Sequence, residues 1–239
     1  NSKRGARIIK EEKLIEEKKA ERLKKNIDNL REEVKKTCNK AGRNVSDVKI
    51  VIATKYASLQ QVKLLYTLGI NNFGENRADE LVEKYNATGG ASVWHFIGHL
   101  QSRKAKIVVP LVEYIHSIDK ISTLDKVNAE AEELNKIQKV LIEVNISGEE
   151  SKFGIDPEDL YNFLKEALNF KNVNVVGLMT MAPLTDDFKL IRGIFRKLRI
   201  LMENSNRYLE DINLTELSMG MSNDYRVAIE EGATMIRVG

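Results

Sequence analysis

Lys55 closes a short apolar run, Lys49-Ile50-Val51-Ile52-Ala53-Thr54-Lys55, and is followed by Tyr56-Ala57-Ser58 and a new helical pattern. Such a run reads as a strand buried on both faces that delivers a lysine to its C-terminal end. Partial desolvation there disfavours the ammonium form, and the neutral amine is the species that attacks an aldehyde to form a Schiff base. The sequence therefore nominates Lys55 as a covalent anchor for a carbonyl-bearing ligand. A lysine that only marks a strand's exit into water leaves the same trace.

A second group points to an anion. Ser218-Met219-Gly220-Met221-Ser222 follows an apolar run and leads into a helical pattern at Asn223-Asp224, so backbone N–H groups and a small-residue turn converge where a helix begins. Arg237-Val238-Gly239 ends the last apolar run. Gly220 and Ser222 also fit a turn that is merely shaped and capped. Asn76, after Phe73-Gly74-Glu75, offers an amide at a strand end, for a ring substituent, for orienting the lysine, or for a turn. His95, His99 and His116 lack an acidic partner at ligand spacing and read as packed or supporting groups rather than a metal site. Cys38 reads as a packing residue.

These residues need a scaffold that brings distant strand ends together. The pattern predicts strands at 49–55, 71–76, 93–99, 114–118, 139–146, 173–181, 215–219 and 234–238, with helices at 58–68, 77–86, 101–109, 121–136, 156–169, 186–204 and 223–231 between them. Before the first strand, Ile27, Leu30, Val34 and Cys38 recur at helical spacing and Gly42 supplies a stop. Eight βα units with short loops require right-handed parallel crossovers, and in this length they predict a closed (β/α)8 TIM barrel of class α/β. An open doubly wound sheet is the alternative, and it would normally carry a glycine-rich nucleotide loop that is not found. In a barrel, Lys55, Asn76, His99, Asp119, Asn145, Met179 to Met181, Ser218 to Ser222, Arg237 and Gly239 all fall on the C-terminal face, where the last two loops habitually hold phosphate.

Composition bounds the rest. A chain of 239 residues, 42% hydrophobic and 31% charged, buries a sizeable core, and three prolines with no Gly/Ser-rich stretch mark no linker. The single cysteine forms no intramolecular disulfide, and no run of roughly 18 apolar residues embeds the chain. A reducing cytoplasm is expected, with no membrane partner. The net charge of +3 is uneven: residues 1–26 hold ten Lys/Arg against five Glu, which leaves the remainder at −2, that is +3 less +5. Lys and Glu mix there at helical spacing without aromatics, so the segment reads as a solvated helical extension, 1–26, ahead of a barrel domain, 27–239. Nucleic acid is not an expected partner; an RNA- or ribosome-associated module acting through the basic extension is kept as an alternative.

Together these residues resemble the pyridoxal-phosphate homeostasis protein family, single-domain relatives of the barrel half of alanine racemase. The carriers are Ala53-Thr54-Lys55, Phe73-Gly74-Glu75-Asn76, Trp94-His95-Phe96-Ile97-Gly98-His99-Leu100-Gln101, Asn145-Ile146-Ser147, Lys152-Phe153-Gly154, Gly177-Leu178-Met179, Ser218-Met219-Gly220-Met221-Ser222 and Arg237-Val238-Gly239. The resemblance covers residues 27–239. It implies that Lys55 carries pyridoxal 5'-phosphate as an aldimine, that Asn76 contacts the cofactor, and that Ser218, Met221, Ser222 and Gly239, with Gly220 in the turn, bind its phosphate. By similarity to the racemase barrel, Arg237 sits near the pyridine nitrogen, Met181 beside the ring, and Lys152 near the ring oxygen or a substrate carboxylate. Arg103 stands where the family commonly has asparagine, and the family's pattern continues past Gly239 with a threonine and an Ile-Phe-Gly segment.

Alanine racemase takes its second base and much of its dimer contact from an extra β domain. The resemblance therefore implies a monomeric, non-enzymatic carrier of the cofactor that influences amino-acid and keto-acid balance, with apo pyridoxal-phosphate enzymes as partners. A single-domain racemase or lyase is the alternative.

Overall fold

The structure, a computed structural model, describes residues 2–239, with side chains from Lys13 onward. Eight parallel strands close into a barrel in the order β1-β2-β3-β4-β5-β6-β7-β8, which excludes the open sheet. They are β1 Lys49–Ala53, β2 Asn72–Glu75, β3 Val93–Phe96, β4 Tyr114–Ile118, β5 Gln138–Glu143, β6 Val173–Met179, β7 Glu216–Ser218 and β8 Met235–Val238. The helices are α1 Ser2–Lys40, α2 Leu59–Thr67, α3 Ala78–Ala87, α4 Ala105–Val108, α5 Ile121–Glu133, α6 Leu160–Ala167, α7 Phe188–Tyr208 and α8 Tyr225–Glu230. Pairing of β1 with β8, Val51 opposite Arg237 and Ile52 opposite Val238, completes the closure.

Alternation along each strand sorts the core into two parts. Ile52, Phe73, Trp94, Phe96, Ile115, Val140, Ile142, Leu178 and Leu217 face outward into the layer shared with the helices. Val51, Tyr114, Leu141, Met179 and Met235 face inward and fill the barrel. Each such side chain contributes about 1.5–3 kcal/mol on leaving water, so closure is driven chiefly by the outer layer, where most of them lie.

α1 runs without a break through residues 26 and 27, so the charged segment and the packed segment are one helix. Its apolar stripe, Ile27, Val34 and Cys38, is buried against the barrel, and Arg43 anchors its C-terminal end through the carbonyls of Ile229 and Ala233, both at 2.8 Å. Several strands stop earlier than their apolar runs. β1 ends at Ala53 because Thr54 to Ala57 turn back, Ala57 N–H donating to Thr54 O at 2.9 Å. The segment expected as a helix over 101–109 is a 3-10 turn, Ser102–Lys104, followed by the single turn α4, since Pro110 stops further propagation. Among the described residues, no helix is long and apolar enough to cross a membrane.

Candidate functional site

Lys55, Asn76, Ala53, Val238 and Gly239 line one cavity of about 550 Å³ at the C-terminal rim, walled on its outer side by Leu23, Ile27 and Leu30 of α1. Lys55 lies in the turn beyond β1, two residues past Ala53, and its side chain is exposed, with Nζ 4.9 Å from the centre of the Tyr56 ring. The partial desolvation expected of this lysine is therefore absent: the turn lifts it off the strand and onto the rim. Asn76 is half-buried one residue beyond β2. Its backbone passes so close to the next loop that a Cβ on Gly98 would lie 2.3 Å from Asn76 O.

The two residues are held from behind by a buried polar cluster. Lys84 on α3 donates to Thr54 O at 2.6 Å, to Glu75 Oε1 at 2.5 Å and to Glu80 Oε2 at 3.2 Å. Glu75, fully buried, also accepts the Thr54 hydroxyl at 2.6 Å and the Asn76 N–H at 3.1 Å. Lys84 occupies the inward stripe of α3 with Ala78 and Leu81. A lysine at an apolar position of that stripe is the only trace it leaves in the sequence.

At the β7–β8 end, Gly220 adopts a φ of +97°, and a Cβ there would meet Ala228 Cβ at 2.6 Å. Its carbonyl accepts Arg237 N–H at 2.9 Å. The Met221 side chain is exposed, and its N–H donates to the Asp224 carboxylate at 2.6 Å. Ser222 and Gly239 meet through the serine hydroxyl, 3.3 Å from both the nitrogen and the oxygen of Gly239. That contact joins the turn to the cavity that Lys55 lines. Ser218 departs from expectation. Its hydroxyl points into the barrel, 2.7 Å from His116 Nδ1 and 2.5 Å from Arg237 Nη1, because alternation along β7 places the last strand residue inward. It braces Arg237 and is not presented at the rim as a phosphate donor.

Arg237, almost fully buried, also donates to Thr180 O at 3.0 Å. Burial lowers its pKa to about 10, opposed by the carboxylates of Glu143 and Asp224, so it stays charged at neutral pH. Behind Ser218 a chain continues from His116 Nε2 to His95 Nδ1 at 2.9 Å and from His95 Nε2 to Asn72 Oδ1 at 2.9 Å. With the amide oxygen accepting, the directions are fixed: His95 donates to Asn72, His116 to His95, Ser218 to His116, and Arg237 to Ser218. Both imidazoles are uncharged, since burial drives His95 down to about 3 and, aided by His95 and Arg237, holds His116 well below its ordinary value. Met181 packs at the top of the inner apolar cluster.

Glu143 ends β5, the strand opposite β1 in the closed order. Burial and the neighbouring Asp119 push its carboxyl up to about 7, against the pull of Arg237. His99 stacks on Phe153 with ring centres 3.9 Å apart, and its buried Nδ1 has no hydrogen-bond partner among the described residues. Lys152, in the same loop as Phe153, pairs with Glu149. The donor set suits a phosphorylated aldehyde: an accessible amine, an amide beside it, a glycine and hydroxyl cradle, an inward arginine and an unsatisfied imidazole nitrogen.

A family described as alanine racemase, N-terminal domain, matches residues 20–239. The pyridoxal phosphate homeostasis protein of Aquifex aeolicus (strain VF5) is 40% identical over 89% of this chain and 93% of its own length. Among solved structures, a protein of unknown identity from Bifidobacterium adolescentis superposes with a TM-score of 0.83 at 31% identity, covering 92% of this chain and 94% of that one. PipY of Synechococcus elongatus PCC7942, with PLP bound, superposes with a TM-score of 0.77 at 30% identity, covering 87% of this chain and 97% of that one. With the barrel, the rim lysine and its neighbours in place, the chain belongs to the pyridoxal phosphate homeostasis protein family, built on the alanine racemase N-terminal domain.

Proposed function

We propose that this protein binds pyridoxal 5'-phosphate through Lys55 and serves in its homeostasis as a carrier without turnover of its own. The observation that carries the reading is the shared cavity: an exposed lysine, Asn76 and Gly239 open on one rim, with Ser222 hydrogen-bonded to Gly239. The relatives named above extend it, PipY having been solved with PLP bound. Pyridoxal phosphate supplies a reactive aldehyde and, once joined to an amine, an electron sink. Lys55 would hold the aldehyde carbon. Asn76 faces the same cavity, the Gly220–Ser222 turn with Gly239 would receive the phosphate, and Met181 would lie beside the ring. With a pKa of about 10 the Arg237 guanidinium keeps its proton, so facing a pyridine nitrogen it would leave that ring neutral and its pull on electrons weak, which suits storage.

The exposed position of Lys55 suits handover, with apo pyridoxal-phosphate enzymes in the cytosol as recipients and the chain acting as a monomer. Residues 1–26 and 27–239 are assigned as extension and barrel, α1 spanning both. The test is spectroscopic. Added pyridoxal phosphate should give the absorbance of a lysine-bound cofactor, and borohydride should fix it on Lys55. Lys55→Ala should abolish both, and a wild-type chain that stays colourless would end the proposal.

One observation favours a second reading, slow proton exchange on amino acids: Glu143 stands across the barrel from the β1 end with a carboxyl that titrates near 7. Incubating the loaded protein with L-amino acids in D2O separates the two. Sustained exchange at Cα that Glu143→Gln removes would replace the carrier reading.

A further inference from the structure

The Lys84–Glu75 pair is buried, and a buried ion pair is a poor route to stability, because desolvating two charges costs about as much as their attraction returns. Its placement asks for another account. Every donor of the Lys84 ammonium is used, on Thr54 O, Glu75 and Glu80. Glu75 in turn accepts from Thr54 and from the Asn76 N–H. The last ladder pair between β1 and β2 is Ala53 with Gly74. Beyond it the two strand ends are joined by the Thr54 N–H bond to Gly74 O at 2.9 Å and then by these side chains. Thr54 and Glu75 directly precede Lys55 and Asn76, two of the polar residues that line the rim cavity.

We infer that Lys84, through Glu75 and Thr54, is a positioning residue that fixes the separation of Lys55 and Asn76 on the β1–β2 side of the mouth. This rests on the reading of Lys55 as the cofactor anchor. The carbonyl that Lys84 grips belongs to the Thr54–Lys55 peptide. Releasing it frees the turn from which the exposed Lys55 side chain springs, while the phosphate cradle on β7–β8 is untouched. Reaction of a lysine with a cradled aldehyde depends on their mutual placement, and misplacement by about 1 Å can cost a hundredfold.

The experiment uses the full chain with pyridoxal 5'-phosphate and the variants Lys84→Met, Glu75→Gln, Thr54→Val and Thr54→Ser. Uptake is read by absorbance, the borohydride-fixed adduct is located by peptide mass spectrometry, and folding is followed by circular dichroism. In the chain without cofactor, acetylation of Lys55 by acetic anhydride is timed against pH. Lys84→Met should weaken uptake roughly tenfold or more, spread the fixed adduct to other lysines and alter the Lys55 acetylation profile. Thr54→Val should do so in part, and Thr54→Ser, which restores the hydroxyl, should recover the wild-type values. If Lys84→Met fails to fold, the Thr54 pair decides. Folded variants that fix the cofactor on Lys55 with wild-type affinity would overturn the positioning role and leave the anchor standing. A wild-type adduct on some other lysine would overturn the anchor itself, and the positioning role with it.

Discussion

On the β1–β2 side of the mouth, Lys55 and Asn76 are braced by a charged pair reaching in from α3; on the β7–β8 side, Arg237 is braced by a chain of neutral imidazoles running through the barrel. Each arrangement satisfies its buried polar atoms, yet they fail differently. Removing one member of the ion pair strands a charge, whereas removing one imidazole strands only a hydrogen-bonding atom. The exposed lysine is thus set on the more brittle support, and the buried arginine on the more forgiving one, whose weakness is acid.

The largest effect should therefore come from Lys84→Met alone, which leaves Glu75 buried and unpaired. A loss of about 3–5 kcal/mol in urea unfolding is expected. Lys84→Met with Glu75→Leu should recover much of it. A double variant no better than the single would show that the charge imbalance is not the cause, and the two sides of the mouth would then be alike.

Next comes Gly220→Ala, which tests the cradle side without touching the imidazole chain. A φ of +97° is costly for alanine, and the added methyl would collide with Ala228 Cβ at 2.6 Å and Tyr225 Cα at 2.9 Å. About 2–3 kcal/mol should be lost, together with phosphate affinity, measured by uptake of pyridoxal phosphate. Gly42, also at positive φ but with nothing near its Cβ, provides the comparison: an alanine there strains the backbone without a clash, and cofactor uptake should not change.

Much of this division was written in the sequence. Short apolar runs alternating with helical patterns placed the eight strands and the order of the elements, because parallel strands covered on both faces leave continuous apolar runs. The strand ends were less legible: Thr54 and Lys55 continue an apolar run, and only a backbone turn decides that Lys55 stands outside it. Ser218 could be assigned to the mouth but not to a direction, since one residue of slip along β7 exchanges rim for interior. Lys84 left only a lysine at an apolar position of its helix, and His95 and His116 read as packed or supporting groups without their connection being legible. A lysine in a helix reads as surface, and partners 21 and 102 residues apart meet only after closure.

A smaller effect separates the supports by pH. His95 and His116 have folded pKa values below their unfolded ones, so between pH 6.5 and about 3 the unfolded chain binds more protons and stability falls on acidification. Glu143 acts the other way. Its folded pKa is raised from 4.5 to about 7, so its contribution favours folding at low pH and is lost as pH rises through about 7. Urea midpoints taken from pH 4 to 8 should accordingly show a shallower acid decline in His95→Phe, and in Glu143→Gln a relative gain that grows as pH rises from about 4.5 to about 7 and then levels off. Parallel curves for wild type and both variants would remove these groups from the account.

The smallest effect should be Arg226→Ala. Its guanidinium meets Glu33 of α1 at 3.1 Å, with the arginine side chain 54% and the glutamate 36% exposed. Although the pair joins two helices as Lys84 and Glu75 join α3 to β2, water competes for both of its groups, and side-chain ordering offsets the remaining attraction. α1 is held instead by Ile27, Val34 and Cys38. Arg226→Ala should leave the urea midpoint within experimental error of wild type, and 1 M salt should remove whatever difference exists while leaving that of Lys84→Met in place. A salt-resistant loss at Arg226 would mean that exposure does not set the worth of these pairs, and the contrast drawn for the mouth would have to rest on geometry alone.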